Sequence, residues 1–132
     1  MAQLYRVILP VTDIETAARF YAAVLEEPGE RVSGGRHYFT GNGGAVLACY
    51  EPLADGDQMG SGWRFHENQY VYFSVEDLER VRQLALKAGA HDVTDIASMP
   101  WGETMFYALD PFGNPISFVK AGTEFTGVSA GP

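Results

Sequence analysis

Few side chains in this sequence are placed for covalent or acid–base chemistry. The three histidines are His37, His66 and His91, and nothing pairs them at the spacing of a metal site. His37 alternates with Arg36 and Tyr38 in a strand-like run, so it is expected to point outward from their side. His66 and His91 read as solvated or locally hydrogen-bonded imidazoles. Cys49 is the single cysteine and lies inside the apolar run 45–50, where it reads as a small buried hydrophobe rather than a nucleophile. No nucleophile has a base beside it. The run Gly41-Asn42-Gly43-Gly44 joins two strand patterns, not a strand to a helix, so it is not a phosphate cradle. Aromatic chemistry remains: seven tyrosines, eight phenylalanines and two tryptophans offer faces for stacking and phenols for hydrogen bonds.

The elements that would position these groups occur twice. Residues 5–15 read YRVILPVTDIE, and residues 69–79, 64 positions later, read QYVYFSVEDLE. Each is an apolar run, then Val-x-Asp-(Ile/Leu)-Glu, then a helical pattern. One copy is too small to bury a core, whereas two together can share one, and the join between them is a natural place for a pocket. In the first copy residues 5–11 read as a strand, with Thr12 as N-cap and Glu15 completing a capping box. The helix puts Ile14, Ala17, Ala18, Tyr21, Val24 and Leu25 on one face and stops near Pro28-Gly29. Short strands follow at 30–32, 36–40 and 45–50. The second copy repeats this with a strand at 70–75, a helix from Leu78 to Gly89, and strands at 91–96, 103–109 and 115–119. Asp110-Pro111-Phe112-Gly113-Asn114 supplies turn chemistry between the last two. The fold class is α+β: two βαβββ repeats, about 4–50 and 69–120, forming a curved mixed sheet around a cleft within a single domain 1–132. Residues 51–68 are a linker whose Trp63, Phe65 and His66 are expected to pack across the pocket or a partner, and 122–132 form a flexible tail.

Composition narrows the function classes. The 132 residues carry 17 acidic and 9 basic side chains, a net charge of -8, which argues against nucleic acid and anionic membranes. No run of about 18 apolar residues marks a membrane span. The first residues lack the pattern of a signal peptide, and the lone cysteine suits a reducing compartment, so a cytoplasmic location is expected.

The order of elements, with Val11-Thr12-Asp13-Ile14-Glu15, Phe20-Tyr21 and Val24-Leu25 early and Pro100-Trp101-Gly102-Glu103 through Asp110-Pro111-Phe112-Gly113-Asn114-Pro115-Ile116-Ser117-Phe118 late, resembles the vicinal oxygen chelate superfamily. That group includes glyoxalase I, extradiol dioxygenases, fosfomycin-resistance enzymes and bleomycin-resistance proteins. The resemblance covers roughly residues 4–120. It implies a cleft into which four side chains project, one from the first and one from the last strand of each half. Metal-dependent members carry His, Gln or Glu there, holding a divalent ion that binds substrate oxygens. Counting seven residues before Asp13 and Asp77, and taking the matching places on the closing strands, gives Arg6, Ala48, Tyr70 and Ser117. None is an ordinary divalent-metal ligand, and a guanidinium would repel the ion. The departure points to the metal-free branch, whose members bind and sequester small molecules. The resemblance also implies a homodimer, since half-domains of this kind pair between chains as well as within one.

With those positions as the inner face, strand alternation adds Ile8, Arg36, Tyr38, Val46, Tyr50, Tyr72, Ser74, Met105 and Tyr107. Trp101 is expected at the rim, as are Trp63 and Phe65. The expected ligand-binding set is Arg6, Tyr38, Ala48, Tyr50, Tyr70, Tyr72, Trp101, Tyr107 and Ser117, with no catalytic residue, metal or cofactor. Its ligand is a planar, partly aromatic small organic molecule, for which Arg6 would clamp an anionic group. In the bland alternative the tyrosines close the cleft and Arg6 pairs with a carboxylate such as Glu103. The rival readings are a lyase, isomerase or dioxygenase of the same superfamily, either metal-dependent with atypical ligands or metal-free with Arg6 and Tyr70 as proton-transfer pair, and a protein-interaction module docking through its aromatic linker.

Overall fold

The computed structural model describes residues 1, 3–41, 44–58 and 69–125. Trp63, Phe65 and His66, the turn residues Asn42 and Gly43, and the tail beyond 125 lie outside the described residues. The first half runs β1 (Arg6–Pro10), α1 (Ile14–Leu25), β2 (Glu30–Ser33), β3 (Arg36–Phe39) and β4 (Val46–Tyr50). A single 3-10 turn at Leu53–Asp55 follows. The second half runs β5 (Val71–Val75), α2 (Leu78–Ala88), β6 (Ala97–Ser98), β7 (Thr104–Leu109) and β8 (Pro115–Lys120). The strands form two four-stranded mixed sheets of matching order, β1-β4-β3-β2 and β5-β8-β7-β6. In each, the first strand pairs parallel to the last, and the remaining pairs are antiparallel.

The repeated Val-x-Asp motif proves to be the helix start. Asp13, not Thr12, is the N-cap of α1: its carboxylate accepts from the backbone N–H of Glu15 at 3.1 Å and Thr16 at 3.4 Å. A carboxylate at the positive end of a helix outcompetes the neighbouring hydroxyl. Glu15 is then free to pair with Arg31 at 2.7 Å instead of closing a capping box. Asp77 caps α2 in the same way through Arg80 N–H at 3.1 Å. Helix α2 ends at Gly89, whose φ of 103° lets its N–H reach back to the last carbonyls. The strand expected at 91–96 is absent. His91 makes only an isolated bridge to Leu109, and the paired residues are Ala97 and Ser98. Thr94 contributes through bonds to Tyr107: its N–H donates to the Tyr107 carbonyl at 2.9 Å, and its hydroxyl accepts from the Tyr107 N–H at 2.9 Å.

One face of each sheet packs on the helices. Leu9, Cys49 and His37 lie in one row of the first sheet, and Phe73, Phe118 and Phe106 in one row of the second. The last three rings stack at 5.2 and 5.1 Å. His37 therefore does lie opposite Arg36 and Tyr38, but on the buried side rather than outward. Its Nε2 is 2.9 Å from the Pro28 carbonyl oxygen and its Nδ1 accepts from Arg31 Nε at 3.3 Å. Burial pushes the Cys49 thiol up to about 12, with the Asp110 charge adding to it. Cys49 is expected to resist alkylation at neutral pH until denaturant is added. Fast labelling of the native protein would show that the first half opens.

Polar side chains fasten the two halves together. Tyr21 of α1 donates to buried Asp110 Oδ2 at 2.7 Å across 89 residues of sequence. Asp110 also accepts from the N–H groups of Phe112 and Asn114 at 2.9 and 2.8 Å, and from Asn114 Nδ2 at 2.9 Å. Asn114 Nδ2 in turn reaches the Pro10 carbonyl at 2.8 Å. Burial and the adjacent carboxylate hold the Tyr21 phenol well above its ordinary value, so it remains a donor. Arg80 of α2 pairs with Glu26 at the end of α1 at 2.7 Å.

Candidate functional site

The faces turned away from the helices carry the residues selected by strand parity. On the second sheet the register places Tyr72, Ser117 and Tyr107 in one row and Ser74, Val119 and Met105 in the next. Tyr70 packs edge-on to Tyr107 with centroids 5.3 Å apart and lies 6.4 Å from Tyr72. Burial, then the Tyr72 hydroxyl, raise the Tyr107 phenol above its ordinary value. Ser117 is fully buried between the tyrosine strands, and its Oγ has no hydrogen-bond partner. A buried hydroxyl left without a partner costs about 1–3 kcal/mol.

Beside these rings lies a cavity of about 430 Å³ lined by Tyr72, Ser74, Trp101, Glu103, Glu124 and Phe125, among others. The segment after β8 forms one wall. Thr123 Oγ1 accepts from Thr104 N–H at 3.1 Å, the Phe125 N–H donates to Glu103 Oε2 at 2.9 Å, and Ser74 Oγ donates to Glu124 Oε2 at 2.6 Å. Trp101 Nε1 donates to Glu103 Oε1 at 2.6 Å, which holds the indole at the mouth. Trp101 and Tyr72 remain half exposed, at 49% and 50%.

The first sheet gathers a second group. The row Ile8, Ala48, Tyr38 sits beside Arg6, whose guanidinium lies 5.3 Å from the Tyr5 ring centroid and 5.5 Å from that of Tyr38. Arg6 Nη1 donates to the Tyr38 hydroxyl at 3.3 Å. Tyr50 stacks under Arg36 at 4.4 Å, and Arg36 pairs with Asp55. No hydrogen bond or ring contact among the described residues joins Arg6 to Tyr70, Tyr72 or Tyr107. Nor does Arg6 pair with Glu103, whose oxygens accept from Trp101 and Phe125. The structure thus brings Tyr70, Tyr72, Tyr107 and Ser117 together beside Trp101, and Arg6, Tyr38 and Ala48 together with Tyr50 nearby, as two groups. A groove of about 620 Å³ lies between the halves, with Leu4 and Val46 on one bank and Tyr70 and Tyr72 on the other.

The sequence pattern of the Glyoxalase/Bleomycin resistance protein/Dioxygenase superfamily matches residues 3–118. The chain belongs to that superfamily. Solved structures share its fold. A glyoxalase/bleomycin resistance protein from Albidiferax ferrireducens aligns at TM-score 0.70 and 17% identity, covering 87% of this chain and 95% of that one. A glyoxalase-related enzyme from Fulvimarina pelagi aligns at 0.70 and 19%, covering 91% and 88%. A superfamily member from Sphaerobacter thermophilus aligns at 0.66 and 21%, covering 91% and 98%. A search of curated proteins found no match. These likenesses establish the fold alone.

Glyoxalase-type and dioxygenase-type chemistry in this superfamily calls for a divalent ion, and the donor set here does not fit one. Ala48 offers a methyl group, Ser117 a hydroxyl sealed beneath the tyrosines, and Arg6 a fixed positive charge. No group of three or more His, Cys, Asp or Glu side chains suited to a metal converges among the described residues. The sequence suggested Glu103 only as a partner for Arg6, not as a binding residue, and gave no sign of Glu124. Glu103 shares the parity of Met105 and Tyr107, so alternation alone could have added it to the inner face. Glu124 follows the last strand in a Gly- and Thr-rich stretch that carries no such signal.

Proposed function

We propose that this superfamily member is a metal-free binding protein that holds a planar, partly aromatic small molecule. The observation that carries this reading is the cluster of Tyr70, Tyr72 and Tyr107, whose member Tyr72 lines with Trp101 a cavity of about 430 Å³. Aromatic faces take a flat ligand by stacking, while the phenols supply a few directed bonds. Arg6 bonds to Tyr38 and not to Tyr70, which gives no support to an Arg6/Tyr70 proton-transfer pair. Protein isolated without an affinity tag is expected to contain far less than one zinc, iron, manganese or nickel per chain. A stoichiometric ion bound near Arg6 would return the enzyme reading. The companion test is native mass of the same preparation, where a retained organic molecule would identify the ligand class.

The same reading takes the protein as a homodimer. β1 is an edge strand, and Leu4, Tyr5 and Ile8 on or before it are 76%, 65% and 54% exposed. Pairing between chains would cover this apolar edge and set the Arg6, Tyr38, Ala48 and Tyr50 group of one copy near the tyrosine group of another. Sedimentation should give twice the 14.4 kDa chain mass. A monomer at every concentration would contradict the dimer while leaving the tyrosine site in place.

A further inference from the structure

We propose that the pocket bounded by Tyr72, Trp101, Glu103, Glu124 and Phe125 receives the positively charged end of the ligand, an amidinium or ammonium group on a planar body. The inference rests on the reading of the tyrosine face as a small-molecule site and adds the charge of what binds there. The pocket combines two features that seldom coincide without use. Its walls are aromatic: Tyr72, Trp101 and Phe125 are 50%, 49% and 69% exposed. Its polar groups are anionic and lack countercharge: among the described residues neither Glu103 nor Glu124 forms an ion pair. Glu103 is only 8% exposed, so its negative charge is held close to the rings by neutral donors alone, the Trp101 indole and the Phe125 N–H. Glu124 is likewise held by Ser74 Oγ and the Gly122 N–H. The Ser74 bond above all keeps the Glu124 carboxyl below its ordinary range, so it is ionised at neutral pH.

Each of these carboxylate oxygens accepts one such bond and retains a further lone-pair site for a ligand donor. A cation against aromatic faces gains from the ring quadrupoles, and a charge-assisted bond to a carboxylate adds to this. The net charge of -8 favours the approach of a cation from solution. Arg6, which the sequence suggested as an anion clamp, sits with Tyr38 on the other sheet and neutralises neither carboxylate.

Three flat probes of nearly one shape separate the possibilities: benzamidinium, neutral benzamide and anionic benzoate. Binding would be followed by the fluorescence of Trp101 in a Trp63→Phe chain, which leaves it the only tryptophan. Benzamidinium is expected to bind at least about tenfold more tightly than the other two, the equivalent of one charge-assisted bond. Glu124→Gln, at an exposed position, should remove most of that preference by weakening benzamidinium far more than benzamide. Glu103→Gln should do the same, and if it fails to fold, Glu124→Gln carries the test. Equal binding of all three probes would overturn the cation inference and leave the aromatic site standing. Tightest binding of benzoate, lost in Arg6→Ala, would overturn it in favour of an anionic ligand. Binding of none would remove the aromatic site and the inference with it.

Discussion

Asp110→Ala is expected to cost about 3–5 kcal/mol of folding stability, a large part of what a domain of this size possesses. The carboxylate is fully buried and accepts from Tyr21, Asn114 and two backbone N–H groups. Its removal orphans several buried donors at once and frees the turn that leads into β8. Tyr21→Phe removes one of these bonds and should cost about 1–3 kcal/mol. Urea unfolding measures both, and an unchanged slope with a lowered midpoint would show that stability, not compactness, has altered. A loss below about 1 kcal/mol for Asp110→Ala would mean that this network does not fasten the halves.

The second large effect falls on binding. Tyr72→Ala removes a half-exposed ring that borders both the 430 Å³ cavity and the groove between the halves. Loss of its stacking and buried area should weaken a flat ligand by about 1.5–3 kcal/mol, or roughly 10- to 150-fold. Trp101→Ala should act similarly at the mouth. Tyr72→Phe keeps the ring and should retain most of the affinity, which separates stacking from the phenol's hydrogen bond. Because Tyr72 sits on an edge strand and outside the core, unfolding midpoints of the variants should move little. An equal loss in Tyr72→Phe and Tyr72→Ala would assign the binding energy to the hydroxyl instead.

The halves were legible because their periodicity is repeated. Residues 5–15 and 69–79 announce two strands and two helix starts, and alternation along each strand sorted Tyr72 and Tyr107 from Phe73 and Phe106. What sequence left open depends on neighbours distant in the chain. Thr12 and Asp13 are both good caps, and the choice is made by which side chain reaches the free N–H groups of Glu15 and Thr16. The stretch 91–96 has strand-like composition, yet it is held by a bridge and by Thr94 rather than by a ladder. Asp110 reads as an ordinary turn residue until Tyr21 arrives from 89 positions away. Arg6 and Tyr70 share the sequence parity of Ile8 and Tyr72, which lie on the sheet faces away from the helices. Parity carried no information on the distance between those faces, and the two residues belong to separate groups.

On the proposed function, the tyrosine face of the second sheet binds a flat small molecule. Amide chemical-shift mapping on the labelled protein with a set of planar aromatic fragments tests it most directly. Saturable shifts are expected at residues 70–74, 101–107 and 117–119, abolished together by Tyr72→Ala. Fragments that shift only amides around Arg6 and Tyr38, or that leave the whole spectrum unmoved, would contradict it.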